Sequence, residues 1–330
     1  MSFDNIKLEK GLYTTSKGFT ASLEELDPSE NYIGTDYEGL DAYQRQLKRF
    51  DIKVSGTGSD TISKFFQTTD SAALFPEYIS RAVQQGLEEE DIISKIVATT
   101  TEIDSLDYRA IESVPSEEDK ELAFVSEGAK IPETSIKTKD KLTRLHKRGR
   151  MLVASYEAIK FQKLDLFTVT LKQIGAYIAR TQLMDALMAL ANSEGVEYIT
   201  GKDSVTYSDL VSLWDKLTPY NLSTLIATGP AIADMLSITE FKDSCAGQSF
   251  HGTGKMITPF GAEVLKIGKM NEKMIFAIDK SAALEKVQTG GVVTEYDKLI
   301  DRQLERAAIT VTAGFSTIFV DAAKVFQILE

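Results

Sequence analysis

A single cysteine, Cys245, excludes any disulfide within the chain, and with it the stapled framework of small secreted domains. Histidine is nearly as scarce: His146 and His251 lie at no metal-ligand spacing to each other or to Cys245. No apolar run approaches the length that crosses a bilayer, and the opening MSFDNIKLEK lacks the apolar centre of a signal peptide. The expectation is a reducing, aqueous compartment and no membrane. Basic charge is also in deficit, with 37 Lys and Arg against 49 Asp and Glu, a net charge of −12. Gripping a nucleic-acid backbone needs concentrated cations, so that function class is set aside. At 330 residues, 43% of them hydrophobic, the chain can still bury the cores of two sub-domains.

Enzyme signatures are missing as well. The segment His251-Gly252-Thr253-Gly254-Lys255-Met256 suggests a phosphate loop only superficially. Its upstream glycine position holds Ser249, and Met256 replaces the hydroxyl that would hold magnesium. There is no Gly-x-Ser-x-Gly elbow, and Cys245 has no histidine at a motif spacing. Paired acids such as Glu117-Glu118 carry no weight without a pocket. No catalytic, cofactor-binding or metal-ligating residue is assigned, and no cofactor is expected.

What is present is a mixture of helical and strand periods. Residues 1–64 read as an acidic, poorly packed arm with one short helix from Leu40 to Phe50, broken by Gly56-Thr57-Gly58-Ser59. A helix from Pro76 to Gln85 has Pro in its first turn and Gly86 at its expected end. Ile92 to Thr101 is β-branched and reads as a strand. The longest helix spans Asp165 to about Asn192, with only Gly175 interrupting good helix formers. Phe167, Leu171, Ile174 and Ile178 form one stripe on it, and Ala176, Leu183, Leu187 and Leu190 another, so it packs on two sides. Thr206 to Asp209 reads as a capping box, followed by a strand at Leu222–Thr228 and a helix with Pro230 in its first turn. Ser244 to Met256 reads as a surface loop. Strands are expected at Glu263–Ile267, Met274–Ile278, Leu284–Gln288, Val292–Glu295, Ile309–Ala313, Thr317–Val320 and Lys324–Leu329.

Ser105 to Glu157 is the most informative stretch. Strand-like alternation runs from Leu106 to Glu112, turns through Pro115 to Lys120, returns through Phe124 to Glu133, and continues along Ile136 to Leu145. A two-stranded hairpin is marginal in water, so an arm this long needs a partner surface. No neighbouring segment reads as a sheet that would cover it. A second copy of the chain is the expected partner.

From Phe65 to Glu330 the order of these segments resembles the major capsid proteins of tailed bacteriophages, the Hong Kong 97-type shell fold. The resemblance rests on the loop tip Glu127-Gly128-Ala129-Lys130-Ile131-Pro132-Glu133, the basic strand after it and the long helix from Leu164. It continues with Leu222 to Pro230, the short helix ending Glu240 to Asp243, and the closing run from Arg306 to Phe326. It implies an α+β fold with an N-terminal arm (1–64), a peripheral domain (65–104, 158–204 with its spine helix, and 291–330), an extended β-loop (105–157) and an axial domain (205–290). It implies a structural function: hexamers and pentamers forming an icosahedral shell around double-stranded DNA, without sequence-specific binding. The implied partners are the chain itself, a separate scaffolding protein and a portal. The implied location is the virion, after assembly in the host cytoplasm.

Two alternatives stay open, an encapsulin-type nanocompartment shell and a two-domain enzyme with an unrecognised site. Encapsulins lack a long acidic N-terminal arm, so the arm favours the phage reading. Some family members weld neighbours by an isopeptide bond between a loop lysine and an asparagine. Here Ile131 precedes Pro132, the lysine lies one place earlier at Lys130, and no Asn follows Asn271, so no such link is expected. The basic run Lys137, Lys139, Lys141, Arg144, Lys147, Arg148 and Arg150 is either a solvated face or a surface docking on acids of an adjacent subunit. The candidate inter-subunit residues are therefore Glu127, Gly128, Lys130, Pro132, Lys141, Arg144, Lys147, Arg148 and Arg150.

Overall fold

The computed structural model describes residues 2–13, 18–105, 107–112, 124–129, 131, 137–242, 255–268, 270 and 273–329. The helices among them are α1 (Phe19–Leu26), α2 (Ala42–Arg49), α3 (Thr69–Ala72), α4 (Phe75–Glu89), α5 (Tyr156–Phe161), α6 (Leu164–Ala191), α7 (Tyr207–Lys216), α8 (Gly229–Ser237) and α9 (Thr239–Lys242). The strands are β1 (Val97–Glu102), β2 (Ile111–Glu112), β3 (Lys137–Thr138), β4 (His146–Ser155), β5 (Glu197–Lys202), β6 (Thr224–Thr228), β7 (Glu263–Ile267), β8 (Met274–Ile278), β9 (Leu284–Gln288), β10 (Val293–Leu299), β11 (Leu304–Thr317) and β12 (Ala323–Leu329). The chain packs into two units, one of residues 1–90, 148–178 and 291–311, the other of residues 91–147, 179–290 and 312–330.

In the first unit the early turns of α6 bury Leu164, Phe167, Leu171, Ile174 and Ile178 against α4, whose Tyr78, Ile79 and Val83 face them. Ala307, Ile309 and Val311 of β11 complete that core. The N-terminal residues depart from expectation: Leu8, Phe19, Leu23, Tyr43, Leu47 and Ile52 belong to the same core. Gly and acid content misled the sequence reading, because one internal ion pair organises the segment. Arg45 is fully buried and donates from Nε to Asp27 Oδ2 at 2.7 Å. It also donates to the Asp27 carbonyl, to Ser29 Oγ at 2.9 Å and to the Leu40 carbonyl at 2.6 Å. Tyr32 donates its hydroxyl to the other Asp27 oxygen at 2.6 Å. Both charges are thus hydrogen-bonded, the condition under which burying them is tolerable.

Arg45→Ala leaves Asp27 charged and unpaired in that site, and the expected loss is about 3–5 kcal/mol. Hydrogen exchange over residues 19–50 should rise accordingly. Replacing both partners, Arg45→Met with Asp27→Leu, should recover most of the loss. Equal exchange in Arg45→Ala and the parent would show that the pair is dispensable.

Gly86 does not end its helix. α4 runs on to Glu89, and Gly86 is where it meets α6. A Cβ at Gly86 would lie 2.1 Å from the Lys172 carbonyl oxygen, and a Cβ at Gly175 would lie 2.1 Å from that of Val83. The two glycines that the sequence suggested as a stop and a weak point are the crossing of the two helices. Only glycine lets the backbones approach this closely.

The second unit is built on a mixed sheet in the order β5-β12-β8-β6-β7. Successive side chains of β8 go to opposite faces: Phe276 and Ile278 join the core containing Leu183, Leu187 and Leu190, and Ile275 and Ala277 join that of α7 and α8. Burial on both faces explains the uninterrupted apolar run Met274–Ile278. Thr206 and Asp209 form the expected capping box of α7. β5, which the sequence reading omitted, is an edge strand parallel to β12. In the other sheet, ordered β1-β9-β11-β10, β11 also pairs with β4. Residues 304–317 form one strand rather than ending at Ala313, and the strand expected at Thr317–Val320 gives way to a 3-10 turn.

Candidate assembly surface

The extended loop is zipped at its root. Thr143 donates its backbone N–H to the Tyr108 carbonyl at 2.8 Å, Lys139 to that of Ala110 at 2.9 Å, and β2 pairs with β3. Tyr108 donates its hydroxyl to Glu285 Oε1 at 2.7 Å, an oxygen that also accepts from Thr101 at 2.5 Å. Burial, with the adjacent carboxylate, raises the Tyr108 pKa, so the phenol stays protonated as the donor. Ala110 is wholly buried. The root is therefore fixed to its own unit, contrary to the expectation that nothing covers the arm.

The tip is different. Ser126 to Ala129 is a tight turn, closed by Ala129 N–H donating to the Ser126 carbonyl at 3.0 Å. Gly128 sits at its third position with φ 77°, where a side chain is penalised. Glu127 is exposed. Lys130, Pro132 and the turn expected from Pro115 to Lys120 lie outside the described residues, as do Cys245, His251 and most of the Ser244–Met256 loop. Phe124 is 107% exposed and Ile131 71%. Sequence reasoning placed Phe124 on a strand but did not mark it as a contact residue. Its signal was an aromatic residue in a segment with no core of its own.

The basic run divides. Lys139 turns onto its own unit, donating to the Thr317 carbonyl at 2.7 Å and to Thr317 Oγ1 at 3.0 Å. Lys141 pairs with Glu194 at 2.5 Å, both largely in solvent. That contact raises the Lys141 pKa and lowers that of Glu194. Arg144 is exposed, while its carbonyl closes on Gly314, where a Cβ would meet it at 2.7 Å. Along β4, Leu152 and Ala154 pack against the first unit's core. Period two puts Arg148 and Arg150 on that same face and Lys147, Met151 and Val153 on the other. Arg148 is half-buried, and the Arg150 guanidinium lies 5.8 Å from the Tyr177 ring centroid. Among the described side chains of the run, Lys139 turns onto its own unit, Arg148 is half-buried, and Arg144, Lys147 and Arg150 are exposed.

Two further exposed apolar surfaces escaped the sequence reading. Leu166, Val169 and Tyr177 form a solvent-facing stripe on the part of α6 that belongs to the first unit. A groove of about 880 Å³ in the first unit is lined by Lys7–Glu9 and Tyr13, by residues between Phe66 and Pro76, and by Thr294–Asp297 of β10. These segments are too far apart in sequence for any local pattern to show it. No cluster of His, Cys, Asp or Glu suited to a metal occurs among the described residues, and no described helix is long and apolar enough to cross a membrane.

No family model and no curated protein matches the sequence. Solved structures do match the fold. A virus-like particle from Pyrococcus furiosus aligns at TM-score 0.50 and 13% identity, over 76% of this chain and 98% of that one. The capsid of the Cyanophage P-SCSP1u aligns at 0.52 and 13%, over 73% and 88%. The capsid of a native GTA particle aligns at 0.53 and 12%, over 71% and 89%. The chain has the α+β Hong Kong 97-type shell fold.

Proposed function

We propose that the chain is the major capsid protein of a tailed bacteriophage, assembling as hexamers and pentamers into an icosahedral shell around double-stranded DNA. The observation that carries this reading is the extended loop: a root fixed by buried contacts and a tip presenting Phe124 and Ile131 to solvent, on a shell fold. Apolar side chains held out on an anchored arm call for a partner surface. The net charge of −12 suits a wall that encloses polyanion without trapping it. On this reading residues 205–290 are the axial domain, a separate scaffolding protein and a portal complete the head, assembly takes place in the host cytoplasm, and no catalytic step is involved. Negative-stain microscopy of the purified chain should show closed shells that release a 36.5 kDa monomer when boiled in SDS. Monomers alone at high concentration would overturn the reading, and a ladder of larger bands would overturn the absence of covalent links.

A nanocompartment shell is the second reading, since the fold also aligns to nearly the whole length of a chain described as a virus-like particle, from Pyrococcus furiosus, rather than as a phage capsid. Nuclease-resistant double-stranded DNA in shells made during infection separates the two.

Among the loop's exposed cations, Lys147 is one expected to act on an acidic neighbour. Exposed pairs contribute only about 0.2–1 kcal/mol each and are screened beyond about 8–10 Å, so only repetition around a shell makes them matter. Lys147→Glu should slow assembly at low salt, followed by light scattering, with the difference shrinking as salt rises. Identical low-salt rates would leave Lys147 as a solvated side chain.

A further inference from the structure

The groove beside β10 has the chemistry of a small-molecule site. Its volume of about 880 Å³ is of the size that encloses a ligand of several rings or a short chain. Leu8, Phe66, Ala73 and Pro76 supply an apolar wall. That wall is held by contacts of its own. Tyr13 donates its hydroxyl to the Ala73 carbonyl at 2.7 Å and accepts from the Glu77 N–H at 3.0 Å, and the rings of Phe66 and Tyr296 stack with centroids 6.1 Å apart. A cleft fixed before binding spares its ligand the cost of ordering it. Four consecutive residues of β10, Thr294 to Asp297, also line the groove. Side chains alternate between the faces of a strand, so four in a row border one groove only where it runs along the strand's edge. β10 pairs with β11 alone among the described strands, which leaves main-chain carbonyls on that edge as acceptors. The rim is acidic. Glu9 is held by Lys7 at 2.5 Å and Asp297 by Arg306 at 2.7 Å, while Asp70 and Glu295 form no ion pair among the described residues.

We propose that this groove binds an amphipathic amine, a small molecule with an aryl or alkyl body and one protonated nitrogen. The body covers Leu8, Phe66, Ala73 and Pro76. An ammonium carries donors only, and the groove offers it the edge carbonyls of β10 and the carboxylates of Asp70 and Glu295. A carboxylate or phosphate ligand would meet its own sign of charge on that rim, and a neutral apolar one would leave the rim unused. The walls come from residues near 8, 70 and 295 of one unit, so an occupant ties the N-terminal segment to β10. Because it binds only the folded chain, it also stabilises that unit by mass action.

The test uses 4-phenylbutylamine on the purified full chain, with 4-phenylbutanol and 4-phenylbutyrate as its neutral and anionic counterparts. Titration followed by ligand NMR should give the amine an affinity about fivefold above that of the alcohol, the ratio expected from two partly exposed ion pairs, and the carboxylate the weakest of the three. The amine should slow hydrogen exchange in residues 7–13 and 294–297. Asp70→Asn with Glu295→Gln should abolish the preference for the amine and leave the affinity of the alcohol unchanged, which also shows that the groove is still folded. Equal affinities for amine and alcohol in the parent chain, a preference that survives the double substitution, or no binding at all would overturn the proposal. Each result is read on single chains, so the shell reading stands or falls separately, by microscopy.

Discussion

A chain lacking Pro115 to Ile131 is expected to fold and stay in solution but not to close into shells. The deletion keeps β2 and β3, the Tyr108–Glu285 bond and the Lys139 anchor on Thr317, so the root remains zipped. Of the residues removed, the described ones are all exposed and none contributes to a core. Thermal unfolding should therefore move by no more than a few degrees. Assembly loses much more. Full burial of one phenylalanine contributes about 1.5–3 kcal/mol, and a closed shell needs every copy of that contact at once. Sedimentation should show single chains or small oligomers where the parent gives shells. Shells of normal size from the deleted chain would remove the loop from the account of assembly.

Gly175→Ala and Gly86→Ala should each destabilise the first unit by about 3 kcal/mol, the upper part of the usual range for overpacking. Two effects oppose one another. Alanine in a helix is better than glycine by about 1 kcal/mol, which alone would stabilise either variant. Against that, the new Cβ would stand 2.1 Å from a carbonyl oxygen of the facing helix, and backbone cannot swing aside as a side chain can. α4 and α6 would have to separate, loosening Tyr78, Ile79 and Val83 from Phe167 and Leu171. The steric term wins. Urea midpoints measure it, with Gly58→Ala as control, since nothing lies within 4 Å of a Cβ there. A midpoint for Gly175→Ala at or above the parent's would mean that the helices do not touch at that position.

Local chemistry made much of the fold legible. The capping box at Thr206 and Asp209, Pro230 in the first turn of α8, and the apolar run of β8 each depend on residues within one turn or strand. The span of α6 was readable for the same reason: two apolar stripes at helical spacing and no breaker but Gly175. The errors fall where a distant segment decides. Gly86 has a helix-stop composition, yet α6 lies against it, so packing overrides propensity. Residues 19–52 look loose because their polar content is high, and Arg45 shows that the decisive pair lies inside.

The candidate surface divides along the same line. Composition excluded a disulfide framework, a basic nucleic-acid grip and the common catalytic motifs, because each of those needs residue types that are scarce or wrongly spaced here. Period-two alternation announced the strand pairing at the loop's root, but not that the root is fixed to its own unit. Which cations face outward was settled by the tertiary structure alone. Lys139 finds Thr317 across 178 residues and Arg148 is half-buried, while Lys147 is exposed, so equal charges in the sequence end in unequal surroundings. The groove beside β10 is the extreme case, assembled from residues near 8, 70 and 295. Period and composition act over a few residues, whereas a groove exists only once separate elements have packed and left an edge open between them.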